Sequence, residues 1–205
     1  MGNLTSITNG NGQVTKYSYD QLGNVIEKMN ALGDSETYTY DVNNQLSKIT
    51  KADGQTISYD YNKLDQLLTK KTSTESEGQV LYSYDADGRR VAMSDLTGQT
   101  RYAYNEEGEL TGVRQGDGSL ITYTYDHAGN KLTSTETVDG KESKTEFSYD
   151  AENRLLEMKS GDKTITYTYD KNGNRVSLGE GDVKLDYIYD TEGWHILFSP
   201  LPLYT

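Results

Sequence analysis

Carboxylates are the side chains of this sequence whose number and spacing could support chemistry. Two of them at a defined separation can hydrolyse glycosides as an acid and a base. An aspartate directly follows a tyrosine at Asp20, Asp41, Asp85, Asp126, Asp150, Asp170 and Asp190. A catalytic residue is usually needed once, whereas a residue that returns in every copy of a motif serves the fold. We therefore assign these aspartates to turns and predict that the chain is not an enzyme.

Histidine and metal chemistry have little support in the sequence. His127 and His195 are its only histidines, and a catalytic histidine needs a positioned nucleophile and an orienting acid. The acidic run at residues 85–88 could attract calcium, but it does not continue into an Asp-x-Asp-x-Asp-Gly ligand series. We predict no catalytic residues, no metal site and no cofactor.

The composition limits the function classes further. The net charge of −12 would repel a phosphate backbone, so we expect no nucleic-acid partner. No apolar run is long enough to span a bilayer, and with no cysteine the chain cannot form disulfides. Only 33% of the residues are hydrophobic, which favours a thin sheet covered by amphipathic tyrosines over a thick core.

A short motif recurs nine times at intervals of 20 to 24 residues. Each copy has an aromatic residue, one intervening residue, and then a tyrosine that never varies, which we call the anchor tyrosine. Self-similarity at this period is typical of repeat proteins, in which no unit buries its own face alone. The pairs are Tyr17 and Tyr19, Tyr38 and Tyr40, Tyr59 and Tyr61, Tyr82 and Tyr84, Tyr102 and Tyr104, Tyr123 and Tyr125, Phe147 and Tyr149, Tyr167 and Tyr169, and Tyr187 and Tyr189.

A turn follows each aromatic pair. The residue after the anchor is Asp or Asn, whose side chain can accept a hydrogen bond from the backbone two residues on. Three residues later comes a residue type that enters the left-handed region at little cost. These residues are Gly23, Asn44, Asp65, Gly88, Gly108, Gly129, Asn153, Gly173 and Gly193.

A second glycine-bearing turn lies between successive aromatic turns, as at Asp117-Gly118 and Asp139-Gly140. Such pairs between β-rich runs predict hairpins. The strand entering the aromatic turn alternates with period two, as in Ile57, Tyr59 and Tyr61. We predict an all-β fold of antiparallel hairpin repeats of about 21 residues, forming a curled or spiralling sheet.

The strand that leaves the turn is less regular, because its apolar residues are spaced three apart. Flat alternation cannot place both members of such a pair on one face, so we expect a bulge or a strong twist there. The pairs are Leu4 and Ile7, Ile26 and Met29, Leu46 and Ile49, Leu110 and Val113, and Leu155 and Met158.

The repeats predict one β-sheet array over residues 1–193, which starts in mid-repeat because Gly2 matches the turn position of Gly23. Residues 194–205 hold both prolines and the only tryptophan, and we expect an irregular tail that either caps the last strand or extends freely. Open sheet edges invite pairing with other chains, so self-association is a further hypothesis.

The motif resembles the YD-repeat or Rhs-repeat family, whose signature is Tyr-x-Tyr-Asp followed by a short Gly-Asn turn. Residues 17–24 and 167–174 match it nearly letter for letter, and the resemblance covers residues 2 to 193. The family includes bacterial Rhs and wall-associated polymorphic toxins, cocoon components of insecticidal toxin complexes, and teneurins. The resemblance implies a secreted or cell-surface shell segment, whose partners are the rest of a parent protein and an enclosed toxin polypeptide. The chain has no Asp-Pro of the kind found where family members cleave themselves, so we do not expect that activity.

Two roles remain open for the aromatic pairs. Rings that stack across strands would form a structural ladder, each pair adding about 0.5–1.5 kcal/mol. Exposed tyrosines could alternatively stack on sugar rings, which would make the chain a carbohydrate-binding module for cell-surface glycans. The return of the pair in every copy favours the ladder.

Overall fold

The computed structural model describes residues 2–74, 78–189 and 195–197, and its regular elements in these ranges are all β-strands. The all-β hairpin repeat predicted from the sequence is therefore confirmed. The strands are β1 (Ser6–Thr8), β2 (Val14–Tyr19), β3 (Val25–Met29), β4 (Ser35–Tyr40), β5 (Leu46–Thr50), β6 (Thr56–Tyr61), β7 (Leu67–Thr72), β8 (Gln79–Tyr84), β9 (Arg90–Asp95), β10 (Gly98–Tyr104), β11 (Leu110–Arg114), β12 (Leu120–Tyr125), β13 (Lys131–Val138), β14 (Lys141–Tyr149), β15 (Leu155–Ser160), β16 (Lys163–Tyr169), β17 (Arg175–Glu180), β18 (Val183–Tyr189) and β19 (His195–Leu197).

The chain divides into two compact units between Thr100 and Arg101. In the first unit, every strand from β1 to β9 pairs antiparallel with the next strand in the sequence. In the second unit, the same pairing runs from β10 to β19. Each unit is thus a succession of hairpins, because antiparallel neighbours in sequence need only short turns.

The strands bury little. Among the described residues, no hydrophobic side chain is buried, and the only buried polar residues are Ser119 and Ser177. Strand β8 shows the usual pattern, in which half-buried Val80, Tyr82 and Tyr84 alternate with exposed residues. We call the side of each unit that carries the paired aromatics the aromatic face. The opposite side carries mainly Ser, Thr and charged residues, as the period-two pattern predicts.

A β-bulge stands at the start of every strand that leaves an aromatic turn from β3 to β17. In β5, Leu46 lies opposite Tyr40 and Lys48 lies opposite Thr39, so Ser47 is the extra residue. The bulge shifts the alternation by one, and Ile49 then lies opposite Tyr38 on the same face as Leu46. The same shift occurs opposite the anchor in the other seven copies.

Strand β3, the first strand with this bulge, differs from the sequence pattern in the two residues that lie opposite the tyrosines. From their spacing of three, Ile26 and Met29 were expected to share one face through a bulge or a strong twist. In β3 the residues opposite Tyr19 and Tyr17 are instead Val25 and Lys28. The bulge fixes positions by distance from the turn, and the apolar stem of a lysine can occupy one of them.

The hairpin tips differ in loop length and turn type, whereas the aromatic turns all have the same length. Asp139 and Gly140 both have positive φ, 50° and 73°, as a two-residue type I′ turn requires. Other tips have a three-residue loop, in which Gly118 donates its N–H to the carbonyl of Gln115 at 3.0 Å. The hairpin of β13 and β14 is the longest, and its additional residues lie at the tip, next to Asp139 and Gly140.

Part of the predicted irregular tail is a strand. Residues 195–197 form β19, which pairs antiparallel with β18. Gly193, Asp190, residue 194 and residues 198–205 lie outside the described residues. The division into an array over 1–193 and a tail over 194–205 stays a prediction.

Candidate functional site: the aromatic turn

The carboxylate that follows each anchor tyrosine organises the turn. Asp126 Oδ1 accepts hydrogen bonds from the backbone N–H of Ala128 and of Asn130, both at 2.9 Å. The first of these bonds is the Asx-turn expected from the residue type. Equivalent backbone bonds to the side chain are made by Asp20, Asp41, Asn62, Asp85, Asn105, Asp150 and Asp170.

The residue three positions after that side chain adopts a left-handed conformation. Gly129 has a φ of 83° and donates its N–H to the Asp126 carbonyl at 3.1 Å. This residue lets a short loop reverse the chain, because an L-residue with a bulky side chain resists positive φ. Gly23, Asn44, Asp65, Gly88, Gly108, Asn153 and Gly173 have the same conformation, with φ between 61° and 87°.

In seven of the eight described turns, the side chain four positions after the Asp or Asn forms a hydrogen bond with that first side chain. The exception is the turn of Asp41, where Gln45 Oε1 is buried without a partner. Asp126 Oδ2 accepts from Asn130 Nδ2 at 2.9 Å, and Asp150 Oδ2 accepts from Arg154 Nε at 2.6 Å. Where the first residue is asparagine, the direction reverses: Asn105 Nδ2 donates to Glu109 Oε2 at 2.7 Å. Asn62 Nδ2 likewise donates to Gln66 Oε1 at 2.7 Å. This matched pair was not predicted from the sequence.

The turn hydrogen bonds also set the charge of the carboxylates. The side-chain amides of Asn24, Asn130 and Asn174 lower the pKa of Asp20, Asp126 and Asp170 below its usual value. Backbone N–H groups act in the same direction, because each hydrogen bond favours the ionised form. These carboxylates therefore act as charged acceptors at neutral pH, which is a structural task.

The anchor tyrosine ties its repeat to the preceding one. Tyr125 Oη donates to the carbonyl oxygen of Leu110 at 2.7 Å, and Leu110 is the first residue of the strand that leaves the preceding turn. The acceptor is thus the bulged strand opposite the preceding anchor. The same bond joins Tyr19 to Leu4, Tyr40 to Val25, Tyr61 to Leu46, Tyr84 to Leu67, Tyr149 to Lys131, Tyr169 to Leu155 and Tyr189 to Arg175, at 2.6 to 3.1 Å.

The first aromatic of each pair lies opposite a residue of the next strand that is not aromatic. Directly opposite these rings, the register places aliphatic, cationic or hydroxyl residues and no second ring. The rings of successive repeats are therefore two strands apart. A continuous ladder of stacked side chains, as predicted, needs the residues of the intervening strand as well as the rings. Those residues are Lys28, Ile49, Lys70, Met93, Val113, Ser134, Met158 and Leu178.

Cations lie over several of these rings. Lys131 Nζ is 4.9 Å from the centre of the Tyr123 ring and 5.5 Å from that of Phe147. The Arg175 guanidinium lies 5.9 Å from the Tyr167 ring and 4.7 Å from the Tyr187 ring. Each cation thus bridges two successive repeats. Sugar stacking would need open ring faces, so these contacts favour the structural role of the rings.

Neighbouring aromatic turns also touch along the rim of the sheet. Asn24 Nδ2 donates to Asn44 Oδ1 at 2.5 Å, and Asn130 Nδ2 donates to Asn153 Oδ1 at 2.7 Å. In both cases the acceptor is the left-handed residue of the next turn. An asparagine at this position therefore supplies both the positive φ and a side-chain bond between repeats.

Two further observations concern metal binding and membrane insertion. Within residues 2–74, 78–189 and 195–197, no group of three His, Asp or Glu side chains could hold a metal ion. Across the same ranges, no helix is long and apolar enough to cross a membrane. His127 is exposed in an aromatic turn, and the side chain of His195 lies outside the described part.

Family comparison agrees with this repeat geometry. The sequence model of the Teneurin YD-shell matches residues 2–139, and that of the RHS Repeat matches residues 125–165. The chain belongs to the Teneurin YD-shell family. The YD-shell chain is thus a structural repeat scaffold, and the resemblance found in the sequence is confirmed.

Individual relatives of this YD-shell chain are much longer proteins. It is 28% identical over 143 residues to the double-stranded DNA deaminase toxin A of Burkholderia cenocepacia (strain H111), covering 66% of this chain and 9% of that protein. A chain in the Photorhabdus luminescens Tc holotoxin pore matches with a TM-score of 0.50 and 16% identity over 93% of this chain and 14% of that one. The TcdB2-TccC3-TEV crystal structure gives a TM-score of 0.49 at the same identity and coverage. The likeness to the holotoxin pore shows a shared fold.

Proposed function

We propose that this chain is one segment of a shell wall in a longer secreted or cell-surface protein, and that the complete shell encloses or presents a toxin or adhesive polypeptide. The anchor-tyrosine bond carries the proposal. It joins a hairpin to the preceding one through a backbone carbonyl, so the acceptor position can carry Leu, Val, Lys or Arg. The toxins among its relatives support an enclosed toxin as the partner.

Protection of the enclosed polypeptide tests this proposal in the full-length parent protein. Limited proteolysis should leave the segment that follows the repeats intact at protease concentrations that degrade the same segment expressed alone. Gly129→Val should shorten that protection, because it strains one aromatic turn. Gly129→Asn is the matched control and should preserve it. Equal digestion rates for the enclosed and the isolated segment would overturn the proposal.

A further inference from the structure

Three consecutive aromatic turns of the first unit present large aliphatic side chains to solvent. The exposed fractions are 77% for Leu22, 101% for Val42 and 74% for Leu64. The turns themselves are fixed, since Asp20, Asp41 and Asn62 hold them with the Asx hydrogen bonds. The aliphatic side chains are therefore presented on rigid loops. We call these three residues the rim row.

The turn geometry does not require the rim row. The turns at residues 126–130 and 170–174 have the same hydrogen bonds but carry His127, Ala128, Lys171 and Asn172 at the corresponding positions. The aliphatic side chains of the rim row are therefore not needed to form the turn hydrogen bonds. A row of three on neighbouring loops is the pattern expected of an interaction surface.

Charge decides what kind of partner fits. The three turns of the rim row carry the carboxylates of Asp20, Asp41 and Asp65 against one ammonium group, that of Lys63. The side-chain amide of Asn24 lowers the pKa of Asp20, so this carboxyl stays ionised at neutral pH. A second copy would set like charges against each other, and its net charge is also −12. The surface therefore favours a basic partner.

Spacing decides the shape of that partner. Adjacent aromatic turns are two strands apart, which places them about 10 Å from each other. Residues seven apart on an α-helix are separated by about 10.5 Å. A helix laid along the rim can thus offer one apolar residue to each member of the row. We infer that the rim row docks a basic amphipathic helix, with apolar residues in heptads and Lys or Arg beside them.

A labelled 21-residue Leu/Lys peptide with leucines at heptad positions is the probe, and fluorescence anisotropy with the whole chain is the measurement. The variant L22S/V42S/L64S should weaken binding about tenfold or more, because it removes the apolar contacts and leaves all charges. The control L32S/V138S/V183S replaces exposed aliphatics at hairpin tips and should bind within about twofold of the unaltered chain. Circular dichroism melts establish that both variants are folded.

Asp65→Asn tests the charge argument separately, since asparagine also adopts positive φ at this position in other turns. It should weaken binding and reduce its dependence on salt. Equal binding by the rim variant and the unaltered chain would overturn the inference, as would an equal loss in the tip control. A dimer in light scattering that the rim variant dissolves would also overturn it, because the occupant would then be a second copy.

Discussion

The hydroxyl of Tyr149 donates to the carbonyl oxygen of Lys131 at 3.0 Å, across 18 residues of sequence. Tyr169 makes the same bond to Leu155 at 2.8 Å across only 14 residues. The intervening hairpins differ in length, yet the bond is unchanged. Both of its ends lie next to the aromatic turns, whereas the length differences fall at the tips. The turn rim therefore sets the spacing of the repeats, and the tips are free to vary.

The left-handed residue of the turn gives the first prediction. Gly129→Val should destabilise the chain by about 1–3 kcal/mol, because a β-branched residue resists a φ of 83°. Its Cβ would also lie 3.2 Å from Glu109 Oε1. Gly129→Asn is the control and should cost far less, since Asn44 and Asn153 hold this position in other turns. Thermal melts of the two variants check the prediction, and equal melting temperatures would contradict it.

The matched side-chain pair gives the second prediction. Asn105→Asp should destabilise the fold at pH 7 because two carboxylates would then meet where Asn105 now donates to Glu109. Adding Glu109→Arg should recover stability by recreating the Asp150–Arg154 arrangement. A double-mutant cycle should give a coupling energy of about 1 kcal/mol or more. A coupling energy near zero would show that the pair does not act as a unit.

Acid stability gives the third prediction. The folded-state pKa values of Asp20, Asp126 and Asp170 are lowered first by side-chain amides. The unfolded chain, with aspartate pKa values of about 3.9, therefore takes up protons before the folded chain does. Their stabilising contribution is complete above about pH 5 and is lost as the pH falls through the folded-state values. Melting temperatures between pH 7 and pH 2 check this, and Asp126→Asn should flatten the acid fall.

Alkaline titration gives the fourth prediction. Partial burial, followed by the hydrogen bond from Tyr38 to Glu36 at 3.0 Å, raises the pKa of Tyr38 to about 12. The folded chain thus holds this proton where the unfolded chain loses it, and the contribution to stability falls as the pH rises from about 10 to 12. Ultraviolet titration of the chain and of Tyr38→Phe isolates this group. Glu36→Gln should lower its pKa, and titration near pH 10 in the unaltered chain would contradict the assignment.

Residue types alone located the turns. The prediction of a turn at Asp126 and Gly129 rests on residue type, because few residues combine a carboxylate acceptor with tolerance of positive φ at that spacing. The bulge also followed from Leu46 and Ile49, since their spacing of three conflicts with period two. Such local patterns are visible in sequence because they are decided within a few residues.

Contacts between repeats were harder to foresee. The acceptor of the Tyr125 hydroxyl is a backbone carbonyl, which has no sequence signature. A hint was present, since the anchor is always tyrosine whereas Phe147 occupies the first position of one pair. The placement of Lys131 between two rings was also missed, because lysine is ordinarily read as a solvated residue. Its apolar stem and charge suit a ring-lined position.

The stability of Tyr125→Phe tests the central claim most directly, because this change removes only the hydroxyl that joins one repeat to the preceding one. It leaves the Leu110 carbonyl without this partner and should cost about 1 kcal/mol. Tyr123→Phe is the matched control and should be nearly neutral, since Phe147 fills the equivalent position without a hydroxyl. Chemical denaturation of the two variants should therefore show a clear loss for Tyr125→Phe alone. Equal unfolding free energies would contradict the claim that anchor hydroxyls hold the repeats together.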